Sequence, residues 1–228
     1  MAAPRQRRES PGPMTAVIRI PPLEVKHTRV TLIGTAPYMQ LRFSEKAMAK
    51  IRATQEAGQH SRSRKIREAR DFEEDYRQAM HVLPDGRQGI PCSAFRNAMI
   101  SACRIVGFKM TIAKLSVFVE EDGFDVVDGT PLVLIEGTPE MTIMPARNAT
   151  GVIDLRVRPM WREWQAQIVV RWDADQFSET DIYHLLNRAG QQVGIGEGRP
   201  DSRESAGLGY GLFRIGELIA LEDEDGDA

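Results

Sequence analysis

Between residues 193 and 215 the chain reads VGIGEGRPDSRESAGLGYGLFRI, and this stretch holds the residues best suited to chemistry. Gly194, Gly196, Gly198, Gly207, Gly209 and Gly211 leave backbone N–H groups uncovered and permit positive φ, while Arg199 and Arg203 stand among them. Bare amides beside guanidinium groups are a means of gripping phosphate, so the stretch points to nucleic acid before it points to catalysis. Tyr210 adds a ring able to stack on a base. Glycine-rich connections also serve as plain turns, so the surrounding elements have to decide.

A second basic feature lies in HSRSRKIREAR, residues 60–70. It carries Arg62, Arg64, Lys65, Arg67 and Arg70 against the single acid Glu68. The segment reads as a solvated helix face laced with i,i+4 pairs or as an electrostatic track for phosphates. Arg96, near the start of a later helix, is a further candidate for a phosphate contact.

Catalytic patterns are missing. His27, His60, His81 and His184 have no mutual metal spacing, and Cys92 and Cys103 form no CxxC pair. GxSxG, GK[ST] P-loop and HExxH motifs are absent. GIGEG follows a helix and precedes a strand, the reverse of the dinucleotide fingerprint's context. Asp154, Asp173, Asp175 and Glu163 form no recognisable Mg²⁺ set. The expectation is no cofactor, no metal and no enzymatic activity.

The elements that must position these residues follow from periodicity. Residues 1–15, rich in Pro, Arg and Ser, read as a disordered arm. Order begins near residue 16 with a long strand through Leu23, Val25, Thr28, Val30, Leu32 and Ile33. Residues 44–88 form an inserted, charged helical segment. Ile90-Pro91 then leads into a helix from Ser93 to about Val106, with Phe95, Met99, Ala102, Cys103 and Val106 on one face and Gly107 as its stop.

Short strands are expected at Leu115–Glu120 and Leu132–Glu136. GVIDLRVRPMW and WQAQIVVRW alternate as a half-buried hairpin over 151–172, where Trp161, Trp164 and Trp172 pack. Ser178 caps a helix with Asp181 at its third position, Ile182, Leu185, Leu186 and Ala189 make its buried stripe, and Gly190 ends it. The glycine loop and a strand over 212–221 complete the order. LEDEDGDA closes the chain as an acidic tail, either a solubilising end or a contact for partner proteins.

Composition agrees with one domain that buries a real core: 228 residues, 42% hydrophobic and 27% charged. The formal charge of -2 hides a split between Arg5, Arg7 and Arg8 at the start and the acids at the end, so it does not exclude nucleic acid. The two cysteines, about 16 Å apart along one helix, are too distant for a disulfide and read as reduced core residues of a cytoplasmic protein. No apolar run reaches the length of a membrane span.

The motifs Ile90-Pro91-x-Ser93-x-Phe95-Arg96 and the late glycine loop, Gly194, Gly196, Arg199, Gly207, Gly209 and Gly211, resemble the RAMP superfamily of CRISPR-associated proteins. The likeness covers about half of the chain in two short motifs. GIPCSAFRNAMISACRIVG and LLNRAGQQVGIGEGRP also look like a family of tailed-phage and prophage proteins, with Gly198 standing where that family commonly carries tryptophan.

The resemblance implies an α+β fold with an RRM-like (ferredoxin-like) core over 16–221. It implies contact of the sheet or glycine loop with single-stranded RNA or DNA, and self-association along the strand. A phage adaptor or inhibitor of a host protein is the alternative, and a metal-dependent nuclease a distant third.

Overall fold

A computed structural model describes residues 20–42, 49, 52–53, 55–56, 70–147, 153–202 and 207–220. The fold is α+β with antiparallel sheets. The expected arm and acidic tail, most of the basic segment including Arg62, Arg64, Lys65 and Arg67, and also Arg203, lie outside the described residues.

The main sheet is built from β1 (Val25–Gly34), β4 (Val117–Val119), β9 (Gln165–Asp173) and β10 (Phe213–Ala220) in the order β10-β1-β9-β4, antiparallel throughout. Period-2 alternation explains its two faces. Thr28, Val30 and Leu32 on β1 and Ala166, Ile168, Val170 and Trp172 on β9 point into the core, while the residues between them face outward. Taking only these four strands and the two longest helices, one helix lies between the first strand and the second and the other between the third and the fourth: a β-α-β-β-α-β order with spatial order 4-1-3-2.

Two helices cover the inner face. In α2 (Cys92–Ile105), Phe95, Ala98, Met99, Ala102 and Cys103 recur at 3 and 4 spacing and are buried. In α4 (Glu179–Arg188) the stripe is Ile182, Leu185 and Leu186. Ser178 accepts from the Asp181 amide and the Asp181 carboxylate accepts from the Ser178 amide, a complete capping box. Phe95 and Phe213 meet edge to face between helix and sheet, with ring centroids 6.0 Å apart.

Two small sheets flank this core. One pairs β3 (Gly89–Pro91), β6 (Pro131–Leu134) and β5 (Gly123–Phe124) beneath the start of α2; the other joins β2 (Tyr38–Met39), β8 (Ile153–Trp161) and β7 (Pro139–Arg147). A short helix α1 (Phe72–Gln78) packs beside β8, capped by Asp71.

Four expectations need correction. The strands 153–161 and 165–173 do not form a hairpin with each other. β8 pairs with β7 along its full length, whereas β9 crosses at Trp161–Trp164 into the main sheet to pair with β1 and β4. Alternation specifies which face is buried, not which neighbour is bonded. Residues Met110–Ser116 are a short helix α3, so the strand expected from Leu115 begins only at Val117. Strand β1 begins at Val25, and the residues from Ile20 to Glu24 carry no regular structure.

Finally, Gly190 does not end α4. The chain continues as a π-helical turn, Ala189–Val193, in which the Gly194 amide bonds to the Ala189 carbonyl at 2.9 Å. A Cβ at Gly190 would lie 2.3 Å from the Phe213 carbonyl oxygen, so glycine is there to let β10 approach.

Cys92 and Cys103 are both free and buried. All three tryptophans are buried, and Trp164 donates to the Ala36 carbonyl. Among the described residues no helix is long and apolar enough to cross a membrane.

Candidate nucleic-acid cleft

The two sequence motifs, a hundred residues apart, form facing walls of one polar cleft of about 560 Å³. One wall is α2. Strand β3 runs directly into it through Pro91, whose φ of -54° suits a helix start, and four-residue spacing then puts Ser93, Asn97 and Ser101 on one face toward the cleft. The other wall is the loop after the π-turn, from Gly194 to Ser202. Arg156 from β8 reaches the same space, and Gln40 and His81 line one end.

The loop's glycines are used first for packing within the chain. Gly196 has φ +76°, and a Cβ there would lie 2.5 Å from the Met39 carbonyl oxygen; Glu197 donates its amide to that same oxygen at 2.9 Å. At Gly211, with φ +68°, the Cβ would come within 1.8 Å of the Ile195 oxygen. Gly194, Gly198 and Gly207 are also left-handed and lie against Tyr210 or Pro200. Gly209 differs, since nothing lies within 4 Å of its Cβ position. Tyr210 is half-buried with its ring over Gly198.

Charge on the walls is largely paired. Arg158, nearly buried, bonds to Glu197, and Arg156 stands 3.6 Å from the same carboxylate. Arg199 donates to the Gly196 carbonyl at 2.9 Å, fastening the loop to itself. Asp201 accepts from the Ser101 hydroxyl and from Arg104, both at 2.6 Å, and these donors hold its carboxyl below the usual carboxylate range despite partial burial. The Ser101–Asp201 bond ties the loop to α2 and closes one end of the cleft.

Arg96 is not part of this site. It donates to the Val117 and Lys114 carbonyls at the end of α3 and lies over the Phe118 ring, on the side of α2 away from the loop. Its donors serve as a helix C-cap.

The residue that sequence reading missed is His81. Its Nδ1 lies 2.9 Å from Asp125, whose side chain is 1% exposed, and its backbone amide donates to Gln40. Asp125 also accepts from the amides of Val82, Val127 and Asp128. Burial alone would raise the Asp125 carboxyl, but these donors, His81 and the nearby Arg42 hold it below its ordinary value.

The ligand atoms of His81, Asp125 and Asp128 fall within 4.8 Å of one another. They are arranged as hydrogen bonds rather than for a metal. Asp125 already receives four donors, and the Arg42 guanidinium sits 3.7 Å from it and 3.8 Å from Asp128, where a cation would be repelled.

No family model and no curated protein matches this chain.

Proposed function

We propose that this chain binds single-stranded nucleic acid, without cutting it, along the cleft between α2 and the glycine loop. The observation that carries the reading is the convergence of the two motifs on one open polar space, with hydroxyl and amide side chains on one wall and Arg156 and Arg199 on the other. Hydroxyls, amides, exposed backbone and guanidinium groups are the donors that contact phosphate and sugar, so sequence preference is weak. The 4-1-3-2 order of the main sheet supports an RRM-like core of the RAMP type. Phage origin, a cytoplasmic setting and self-association along the strand belong to the same proposal.

The test is anisotropy of a labelled single strand, DNA and RNA in parallel, titrated with protein at rising salt, with and without Mg²⁺. Affinity that falls steeply with salt, with the strand intact, is the expected result. Absence of binding at low salt would refute the reading, and cleavage on adding Mg²⁺ would replace it with the nuclease.

A second reading, an adaptor or inhibitor docking on a host protein, is favoured by a different observation. The guanidinium groups of the cleft stand beside Glu197 and Asp201, while one face of the β7–β8 ribbon exposes Ile143, Ile153 and Leu155. Under that reading the ribbon's apolar face is the contact surface.

A further inference from the structure

A second pocket, of about 670 Å³, opens on the other end of α2 and takes no part in the cleft. Its floor includes Phe108 and Phe177, whose rings are tilted at 47° with centroids 4.8 Å apart. Its rim is rich in carboxamides: Gln176, Asn187, Gln191 and Gln192. The volume lies within the range of small-molecule sites.

The state of each rim group defines what fits. Gln191 donates to the Asn187 oxygen at 2.9 Å, which leaves the Asn187 amide hydrogens and the Gln191 oxygen available. The carboxamides of Gln176 and Gln192 have no partner among the described residues. The one acid of the rim, Asp181, is engaged in the α4 capping box, accepting from the Ser178 amide at 3.0 Å and from its hydroxyl at 2.7 Å. Arg188 is exposed and makes no ion pair among the described residues, so its guanidinium is open to an anionic ligand, with Asp181 the one negative charge of the rim.

Aromatic rings with carboxamide donor and acceptor pairs match the face and edge of a nucleobase, and a free guanidinium matches a phosphate. The π-turn is an independent pointer. Widening the helix at Ala189–Val193 sets the consecutive Gln191 and Gln192 on the pocket, and such turns recur at functional sites. We propose that this pocket binds a mononucleotide, its base against Phe108 and Phe177 and its phosphate on Arg188. The proposal does not rest on the cleft reading.

Calorimetric titration of the full chain with AMP, GMP, CMP and UMP, and with the matching nucleosides, tests it. At least one nucleotide binds with one-site stoichiometry, and loss of its phosphate weakens binding about tenfold. Arg188 is exposed, so Arg188→Ala leaves the unfolding temperature unchanged, lowers nucleotide affinity by a similar factor and abolishes the preference for nucleotide over nucleoside. Gln192→Ala weakens nucleotide and nucleoside alike.

Failure of all four nucleotides to bind at millimolar concentration, or equal affinity in Arg188→Ala and the unaltered chain, overturns the proposal. So does a loss of mononucleotide binding in Arg156→Ala/Arg199→Ala, because that places the ligand in the cleft. The cleft reading is scored separately, by single-strand binding in that double variant.

Discussion

Gly211→Ala and Gly209→Ala make a matched pair that separates packing from conformation in the glycine loop. Both positions have nearly the same left-handed backbone, φ +68° and φ +73°, so both substitutions incur the same L-residue penalty of about 1–2 kcal/mol. The surroundings differ. At Gly209 the new methyl meets open space, whereas at Gly211 it lies 1.8 Å from the Ile195 oxygen and forces a retreat of about 1.5 Å to reach ordinary contact.

That retreat strains two backbone bonds, Ile195 to Gly211 at 3.0 Å and Gly211 to Pro37 at 2.7 Å, each contributing about 1 kcal/mol. Gly211→Ala therefore costs about 3–4 kcal/mol in all, a fall in Tm of roughly 6–16 °C for a domain of this size. Gly209→Ala costs about 1–2 kcal/mol, roughly 2–8 °C. Thermal and urea unfolding of both variants give the comparison. Equal losses in the two would refute the argument that Gly211 exists to let the loop close on Ile195.

Asp125→Asn lowers stability at pH 7 by about 3 kcal/mol, because an amide cannot accept four donors and removes one of the two carboxylates beside the buried Arg42; urea midpoints measure it. The Asp125 carboxyl is depressed in the folded chain, so its contribution is present above the unfolded value near 4 and is lost as pH falls through the folded value; the gap between unaltered protein and variant narrows over that acid range. Glu197→Gln releases Arg156 and Arg158, destabilising the fold by about 2 kcal/mol while raising single-strand affinity several-fold, opposite signs that anisotropy and unfolding read separately. Burial, with Glu121 and Asp122 nearby, pushes the Cys92 thiol up to about 12, and burial raises Cys103 as well. Ellman's reagent at pH 8 therefore titrates neither thiol until urea unfolds the chain, when both react.

The stripe of α4, that of α2 apart from Val106, which is exposed at the helix end, and the Ser178–Asp181 cap are legible because each depends on neighbours within a turn or two. Strand partners were not. β7 holds Pro139 and Pro145 and gives a weak strand signal, yet as the edge strand of its three-stranded sheet it tolerates both, so alternation alone matches β8 with β9 instead.

The glycine loop is legible in the sequence, but the intrachain packing that most of its glycines serve is not. Local sequence shows that a side chain is absent without showing whether a ligand, Met39 or Ile195 fills the space. Arg96 misled for the same reason, since its carbonyl partners lie 18 and 21 residues away. His81 and Asp125, 44 residues apart, form a pair that no spacing rule links.

The central claim is that guanidinium groups on the cleft neutralise the phosphates of a single strand. Its most direct test is the slope of log affinity against log salt for the unaltered chain and for Arg156→Ala/Arg199→Ala. Two lost phosphate contacts make the slope shallower by about 1.4, with weaker binding at every salt concentration. An unchanged slope and affinity, or a strand that the unaltered chain does not bind, would contradict the account.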